Sequence, residues 1–268
     1  MVHEELKEVK RIALAAGAIL MKHYRGSGTV EWKGPGDPVT RADREASEFI
    51  VAELRELFPD DGILSEELPD NAIRLGKTRV WMIDPMDGTR EFIENRSEFA
   101  VMIGLALQGV PVLGVVYQPT TGRLFSAGPG TGAFLDLDGK STRLAVSTES
   151  SAAKLTMAMS RSHRSSRVEK ICHTMGILKS IQTGSVGLKV GLIVEGKAHL
   201  YIQAGNQTHL WDTCGPEAIL REAGGTMTDI FGKPLRYAEQ EHRNLHGVIA
   251  SNGVIHERAT RATRSVIA

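Results

Sequence analysis

Only two cysteines occur in the 268 residues, Cys172 and Cys214, and they stand 42 positions apart. That is too few for a disulfide framework and lacks the paired spacing of a cysteine zinc site, so a reducing compartment fits and zinc is not expected. An excess of charge of one sign is also missing, because 32 Lys and Arg balance 32 Asp and Glu. No basic field is available to hold long nucleic acid. The apolar run at 12–21 covers ten positions, too few to cross a bilayer. The residues before it mix Glu4, Glu5 and Glu8 with Lys7, Lys10 and Arg11, unlike a signal peptide. The expectation is a cytoplasmic protein with no membrane partner. What is present is ordinary for a globular protein, 41% hydrophobic and 24% charged, with 28 glycines that favour turns and backbone-lined sites. The length suits one large α/β unit or two tightly joined halves.

Apolar residues at helical spacing predict a first helix through Leu6, Val9, Ala13, Ala16 and Leu20, and a second through Ala46, Phe49, Ile50, Leu54 and Leu57. A short strand Ile63-Leu64-Ser65 then delivers Glu66 and Glu67. The run Val80–Ile83 reads as a buried strand ending at Asp84, where Pro85 and Gly88 break the extended chain. From Phe99 to Phe134, strands separated by Gly109-Val110-Pro111 and Pro119-Thr120-Thr121-Gly122 predict an antiparallel meander. The polar stretch 136–153 marks a boundary between an N-terminal α+β half, 1–150, and a C-terminal α/β half, 151–268. Beyond it strands and helices alternate, with a helix from Pro216 to Ala223 stopped by Gly224-Gly225. The fold class is layered α/β.

The sharpest local signal is Asp84-Pro85-Met86-Asp87-Gly88-Thr89. Two carboxylates three residues apart, with the Met86 carbonyl between them, can turn toward one point. Oxygen donors without His or Cys select a hard cation, Mg²⁺ with Mn²⁺ as a substitute. The spacing excludes a calcium-binding EF-hand loop, whose glycine is sixth. With five residue types fixed at about 5% frequency each, such a string arises by chance in roughly one of ten thousand chains of this length. Glu66 after its strand and Asp212 near a helix start are two further acidic sites. Each also has a plain structural reading, a solvated strand edge and a helix cap.

Together with Trp211-Asp212-Thr213 and Glu222-Ala223-Gly224-Gly225, the stretch Asp84–Phe92 resembles the two signatures of the inositol monophosphatase superfamily of Mg²⁺-dependent, lithium-sensitive phosphatases. The resemblance extends over nearly the whole chain, through Pro38–Asp43 and Leu64–Glu67. In Thr89–Ile93, Glu98-Phe99, Gly114–Pro119 and Ser160-Arg161-Ser162-His163 the chain is most similar to the 3′(2′),5′-bisphosphate nucleotidase branch. That branch removes the 3′-phosphate of adenosine 3′,5′-bisphosphate, a by-product of sulfur metabolism. The resemblance implies an αβαβα sandwich of the sugar-phosphatase type.

It also implies site roles. One ion would sit on Glu66, Asp84 and the Met86 carbonyl, and a second on Asp84, Asp87 and Asp212, with two or three ions in all. Asp43, Glu66 and Thr89 would act in catalysis, Asp43 and Thr89 by orienting and deprotonating the attacking water. Gly88 and Thr89 would offer N–H groups to the phosphate, and Ser162, His163, Ser185 and Lys189 would contact the rest of the substrate. On residues alone, 160–163 is equally a turn with a capping Ser, and Lys189 equally a solvated side chain after a helix start. Two departures stand out. Aligned on Lys189, the position where relatives carry Ser falls on Val186, and Gln203 stands where they carry Arg. An inositol or other sugar-alcohol monophosphatase is therefore the alternative within the class. A non-catalytic metal- or nucleotide-binding regulator is the alternative outside it, disfavoured because no acidic site residue is missing. A homodimer is compatible with all of these readings.

Overall fold

The computed structural model describes residues 2–26, 30–34, 37–70, 72–162 and 165–267. Helix α1, Val2–His23, turns Val9, Ile12, Ala13, Ala16 and Leu20 inward, all wholly buried. Helix α2, Arg41–Leu57, starts at a capping box: the Thr40 hydroxyl accepts from the Ala42 N–H, and the Thr40 N–H donates to the Asp43 carboxylate. A two-stranded hairpin, β1 (Val30–Gly34) and β2 (Asp37–Thr40), lies between them.

A seven-stranded sheet follows in chain order: β3 (Gly62–Ser65), β4 (Arg79–Asp87), β5 (Ala100–Leu107), β6 (Val110–Gln118), β7 (Arg123–Gly128), β8 (Gly132–Leu137) and β9 (Lys140–Leu144). β3 and β4 are parallel and every later pairing is antiparallel, which is the expected meander. A short helix α3, Thr89–Ile93, follows β4 directly. The second sheet contains β10 (Thr156–Ser160), β11 (Lys179–Thr183), β12 (Leu200–Gln203), β13 (Thr226–Thr228) and β14 (Val248–Ser251), in the order β11-β10-β12-β14-β13. It is mixed, with β11, β10 and β12 parallel and β14 antiparallel to both its neighbours. The remaining helices are α4 (Ser166–Met175), α5 (Val186–Val194), α6 (Leu210–Glu222) and α7 (His256–Ile267).

Three apolar clusters define the layers. α1 and α2 cover one face of the large sheet, α5 and α6 fill the space between the sheets, and α4 and α7 cover the outer face of the small one. The result is the expected αβαβα order. α6 reaches the large sheet closely because three glycines meet there. Gly104 of β5 and Gly114 of β6 are register partners, and Gly215 of α6 passes over them. A Cβ on Gly114 would lie 2.1 Å from the Gly215 carbonyl oxygen, and one on Gly104 would lie 2.4 Å from the Gly215 nitrogen. Only hydrogen fits in these positions.

Several element expectations need correcting. α6 begins at Leu210, six residues before the expected start, so Pro216 lies inside it. Proline favours the first turn of a helix, but here burial of the whole 210–220 segment and capping at His209 carry the helix across it. β4 does not end at Asp84. It runs on to Asp87, and its register with β5 shifts between the two aspartates. The polar stretch at 136–153 includes β9, an exposed edge strand whose lack of apolar residues concealed it.

Candidate active site

The shift in β4 has a local consequence. An irregular stretch turns Asp84, the Met86 carbonyl and Asp87 toward one side of the sheet, where a regular strand would alternate them. Asp84 Oδ1 accepts the Met86 N–H at 2.9 Å, which holds the bend. Gly88 follows at φ 106°, and a Cβ there would be 2.8 Å from the Glu98 carbonyl oxygen, so the turn needs glycine twice over. β3 ends beside β4 and delivers Glu66, while the first turn of α6 delivers Asp212. Asp212 Oδ2 accepts the His209 N–H at 2.7 Å, which caps that helix.

Glu66, Asp84, Met86, Asp87, Gly88, Thr89, Ser185, Lys189 and Asp212 line one cavity of about 700 Å³. Asp43 stands behind Thr89: its Oδ2 accepts the Thr40 N–H and hydroxyl, both at 2.7 Å, and its Oδ1 accepts the Thr89 hydroxyl at 3.2 Å. Thr89 Oγ1 is also 3.2 Å from the Met86 carbonyl oxygen. Residues chosen from five separate stretches of sequence thus converge. Ser162 does not line the cavity; its hydroxyl donates to Glu91 Oε1. His163 lies outside the described residues.

Burial and mutual repulsion set the electrostatics. The Asp84 carboxyl is held well above the carboxylate range by burial and then by Glu66, Asp87 and Asp212, and Glu66 hydrogen-bonds it directly. Burial and Asp212 push Asp87 up to about 6, against Lys189 and the donors Ser185 and Gly187. Burial also lifts Asp43 to about 6 despite its Thr40 hydrogen bonds. Asp87 Oδ2 takes the Ser185 hydroxyl at 2.6 Å and the N–H groups of Val186 and Gly187, and so serves as the anion at the start of α5. Ser185 sits at φ 51°, a strained value for a residue with a Cβ. Lys189 is buried, with Nζ donating to the Ser185 carbonyl at 2.8 Å and lying 5.3 Å from the Tyr201 ring centre. Burial lowers its pKa, and Asp87, Glu91, Asp212 and Glu98 oppose that change.

Among the described residues no three His, Cys, Asp or Glu side chains are already gathered as a metal shell. Asp84, Asp87 and Asp212 each turn one oxygen to an N–H donor, which leaves the other to face the cavity. Even so, the donor set fits a hard divalent cation: buried carboxylates that repel one another, a peptide carbonyl, and no sulfur.

Tyr201, His209, Trp211 and His242 also line the cavity and carried no site assignment from sequence. Tyr201 and Trp211 were visible only as neighbours of Gln203 and Asp212. His209 precedes α6, and its ring stacks on Trp211 at 4.6 Å and 9° and lines the cavity. His242 completes the stack, 5.2 Å from Trp211. It comes from a loop 30 residues downstream of Asp212 with no pattern to flag it.

A mixed α/β sandwich whose buried carboxylates meet between two sheets defines a class of phosphoester hydrolase, and comparison places the chain within it. Residues 2–268 match the inositol monophosphatase family, so the chain belongs to that family and is a phosphoric monoester hydrolase. It is similar to the 3′(2′),5′-bisphosphate nucleotidase CysQ of Escherichia coli K12, 36% identical over 239 residues that make up 88% of this chain and 95% of the relative. The CysQ of Haemophilus influenzae is 33% identical over 238 residues, 88% of each chain. Similar solved structures include an IMPase of Thermotoga maritima (TM-score 0.85, 28% identity, 98% of both chains) and CysQ from Bacteroides thetaiotaomicron (TM-score 0.78, 30% identity, 92% of this chain and 97% of that one). No helix among the described residues is long and apolar enough to cross a membrane.

Proposed function

We propose that the chain is a Mg²⁺-dependent 3′(2′),5′-bisphosphate nucleotidase that hydrolyses the 3′-phosphate of adenosine 3′,5′-bisphosphate. The observation that carries this reading is the convergence of Glu66, Asp84, Asp87 and Asp212 on a cavity that Lys189, Tyr201, Ser160 and Gln203 also line. Carboxylates gathered in this way need cations, and a cavity of about 700 Å³ accommodates a substrate larger than phosphate. Glu66, Asp84 and the Met86 carbonyl would hold one Mg²⁺, and Asp84, Asp87 and Asp212 a second, with Asp84 shared. Bound ions neutralise the phosphate, acidify water and stabilise the leaving oxygen.

The chain's own groups divide the remaining work. A water hydrogen-bonded to Thr89 can pass a proton to Oγ1 while the Thr89 proton moves to Asp43 Oδ1. The Thr40 donors keep that carboxylate aimed. Gly88 and Thr89 would present N–H groups to the transferring phosphate. Lys189 and Ser185 line the same cavity beside Asp87, and a second phosphate and the nucleoside would lie against them. One observation favours the related reading of a sugar-alcohol monophosphatase: Gln203, which is neutral, lines the cavity where nucleotidase resemblance implies an arginine. Mg²⁺-dependent phosphate release from adenosine 3′,5′-bisphosphate and from inositol 1-phosphate decides between them. A higher kcat/KM for the inositol ester overturns the nucleotidase reading, and no release from either overturns the mechanism.

A further inference from the structure

Glu91 and Glu98 lie just beyond the metal loop, and Arg161 lies in the stretch shared with the nucleotidases, yet none has a role in the chemistry above. The three meet in the structure. Glu98 Oε2 accepts Arg161 Nε at 2.7 Å and the Gly184 N–H at 2.9 Å, and Oε1 accepts Arg161 Nη2 at 2.6 Å. Arg161 Nη2 also donates to the Gln182 carbonyl at 3.0 Å. Next to Arg161, the Ser162 hydroxyl donates to Glu91 Oε1. Gly184 presses on the same two acidic residues: a Cβ there would lie 2.4 Å from the Glu98 carbonyl oxygen and 2.7 Å from Glu91 Cγ. Both loops that bring the small sheet to the cavity, 160–162 and 183–185, are therefore fastened to carboxylates that follow the metal loop on the large sheet.

The guanidinium of Arg161 is engaged as a planar fork and neutralised by Glu98, and Arg161 does not line the cavity, whereas Ser160, Gly184 and Ser185 do. We propose that Glu98 and Arg161 are positioning residues, a clamp between the two sheets that sets the distance of Ser160 and Ser185 from the metal carboxylates and thereby fixes substrate affinity rather than the rate of the chemical step. Asp84, Asp212 and Asp43 are held by the Met86, His209 and Thr40 N–H groups, none of which touches the clamp, whereas Asp87 is held by Ser185, Val186 and Gly187, next to the clamped Gly184. Loosening the clamp leaves Asp84, Asp212 and Asp43 in place, and a shift of Asp87 with its loop weakens Mg²⁺ binding, which saturating Mg²⁺ offsets. The inference rests on the cavity being the phosphatase site.

The test is steady-state kinetics at saturating Mg²⁺ for Glu98→Gln, Arg161→Met, the double variant and Arg161→Lys. Adenosine 3′,5′-bisphosphate and inositol 1-phosphate are both assayed, and KM is read on whichever the unmodified enzyme prefers. A preference for the inositol ester refutes the nucleotidase reading alone and leaves the clamp to be read on that ester. Each single variant is expected to raise KM about tenfold with kcat within about threefold, and the double variant is expected to be no worse than either single, the mark of two groups acting as one. Arg161→Lys keeps the charge without the fork and is expected to recover only part of the loss. The proposal is overturned if Glu98→Gln leaves KM unchanged or lowers it while Arg161→Met raises it, because Arg161 would then be a direct substrate cation. It is also overturned if the two losses multiply, or if only the melting temperature moves.

Discussion

The Thr89 hydroxyl donates to Asp43 Oδ1 at 3.2 Å, joining the start of α3 to the first turn of α2 behind the cavity. With Oδ2 already taken by two Thr40 donors, Oδ1 is the oxygen open to a proton arriving through Thr89. Asp43→Asn removes the base without changing the shape. Turnover is expected to fall by about 10²–10⁴ while Mg²⁺ still raises the melting temperature. Equal loss of the Mg²⁺ effect would place Asp43 among the ligands instead.

Asp84 is buried and faces three other carboxyls, so its charge opposes folding until a cation arrives. In EDTA, Asp84→Asn is expected to melt higher than the unmodified chain. With Mg²⁺ the order reverses, because binding at a hundredfold excess over Kd stabilises by about 2.7 kcal/mol and the variant forgoes it. Differential scanning fluorimetry in EDTA and in millimolar Mg²⁺ measures both, and activity of the variant should be abolished.

The three-glycine contact fixes how far α6, and Asp212 with it, stands from the large sheet. Gly114→Ala inserts a methyl group 2.1 Å from the Gly215 carbonyl oxygen. Overpacking of this kind costs about 1–3 kcal/mol, and relief requires α6 to move outward. Both a lower midpoint in urea and a higher Mg²⁺ requirement for turnover are expected. A drop in stability with unaltered Mg²⁺ dependence would separate the helix seat from the site.

Glu217 is a pH-sensitive element away from the cavity. Burial pushes its carboxyl up to about 7, against the Tyr237 hydroxyl that donates to it at 2.7 Å and the nearby Arg221. Between its ordinary value of 4.5 and about 7 the folded chain holds a proton that the unfolded chain has released. Its contribution is thus complete below 4.5 and is lost as pH rises through 7, a change of at most about 3 kcal/mol. Asp43, Asp84 and Asp87 titrate in the same direction, so the informative quantity is the difference between the unmodified chain and Glu217→Gln in EDTA. That difference should shrink from pH 8 to pH 5.

Gln203→Arg supplies the cation whose absence weakens the nucleotidase reading. KM for adenosine 3′,5′-bisphosphate is expected to fall about tenfold with little change for inositol 1-phosphate, since only the former carries a second phosphate. A parallel change for both substrates would show that this end of the cavity does not meet a second anion.

By itself the sequence determined the amphipathic faces of α1 and α2, the meander, and the acidic residues around Pro85 and Trp211, because each is written in periodicity or in neighbours a few positions apart. The same local logic misplaced the start of α6 at Pro216 and missed β9, where burial and sheet pairing outweigh propensity. The family resemblance implied that Glu66, Asp84, Asp87 and Asp212 meet, and the tertiary structure puts them on one cavity; it alone decided that His209, Trp211 and His242 stack along that cavity and that Ser162 serves Glu91. It also joined Glu98 to Arg161, 63 residues away. Such pairs depend on how two sheets and the helices between them pack, a sum of many weak contacts over distant positions that leaves no short pattern in the chain.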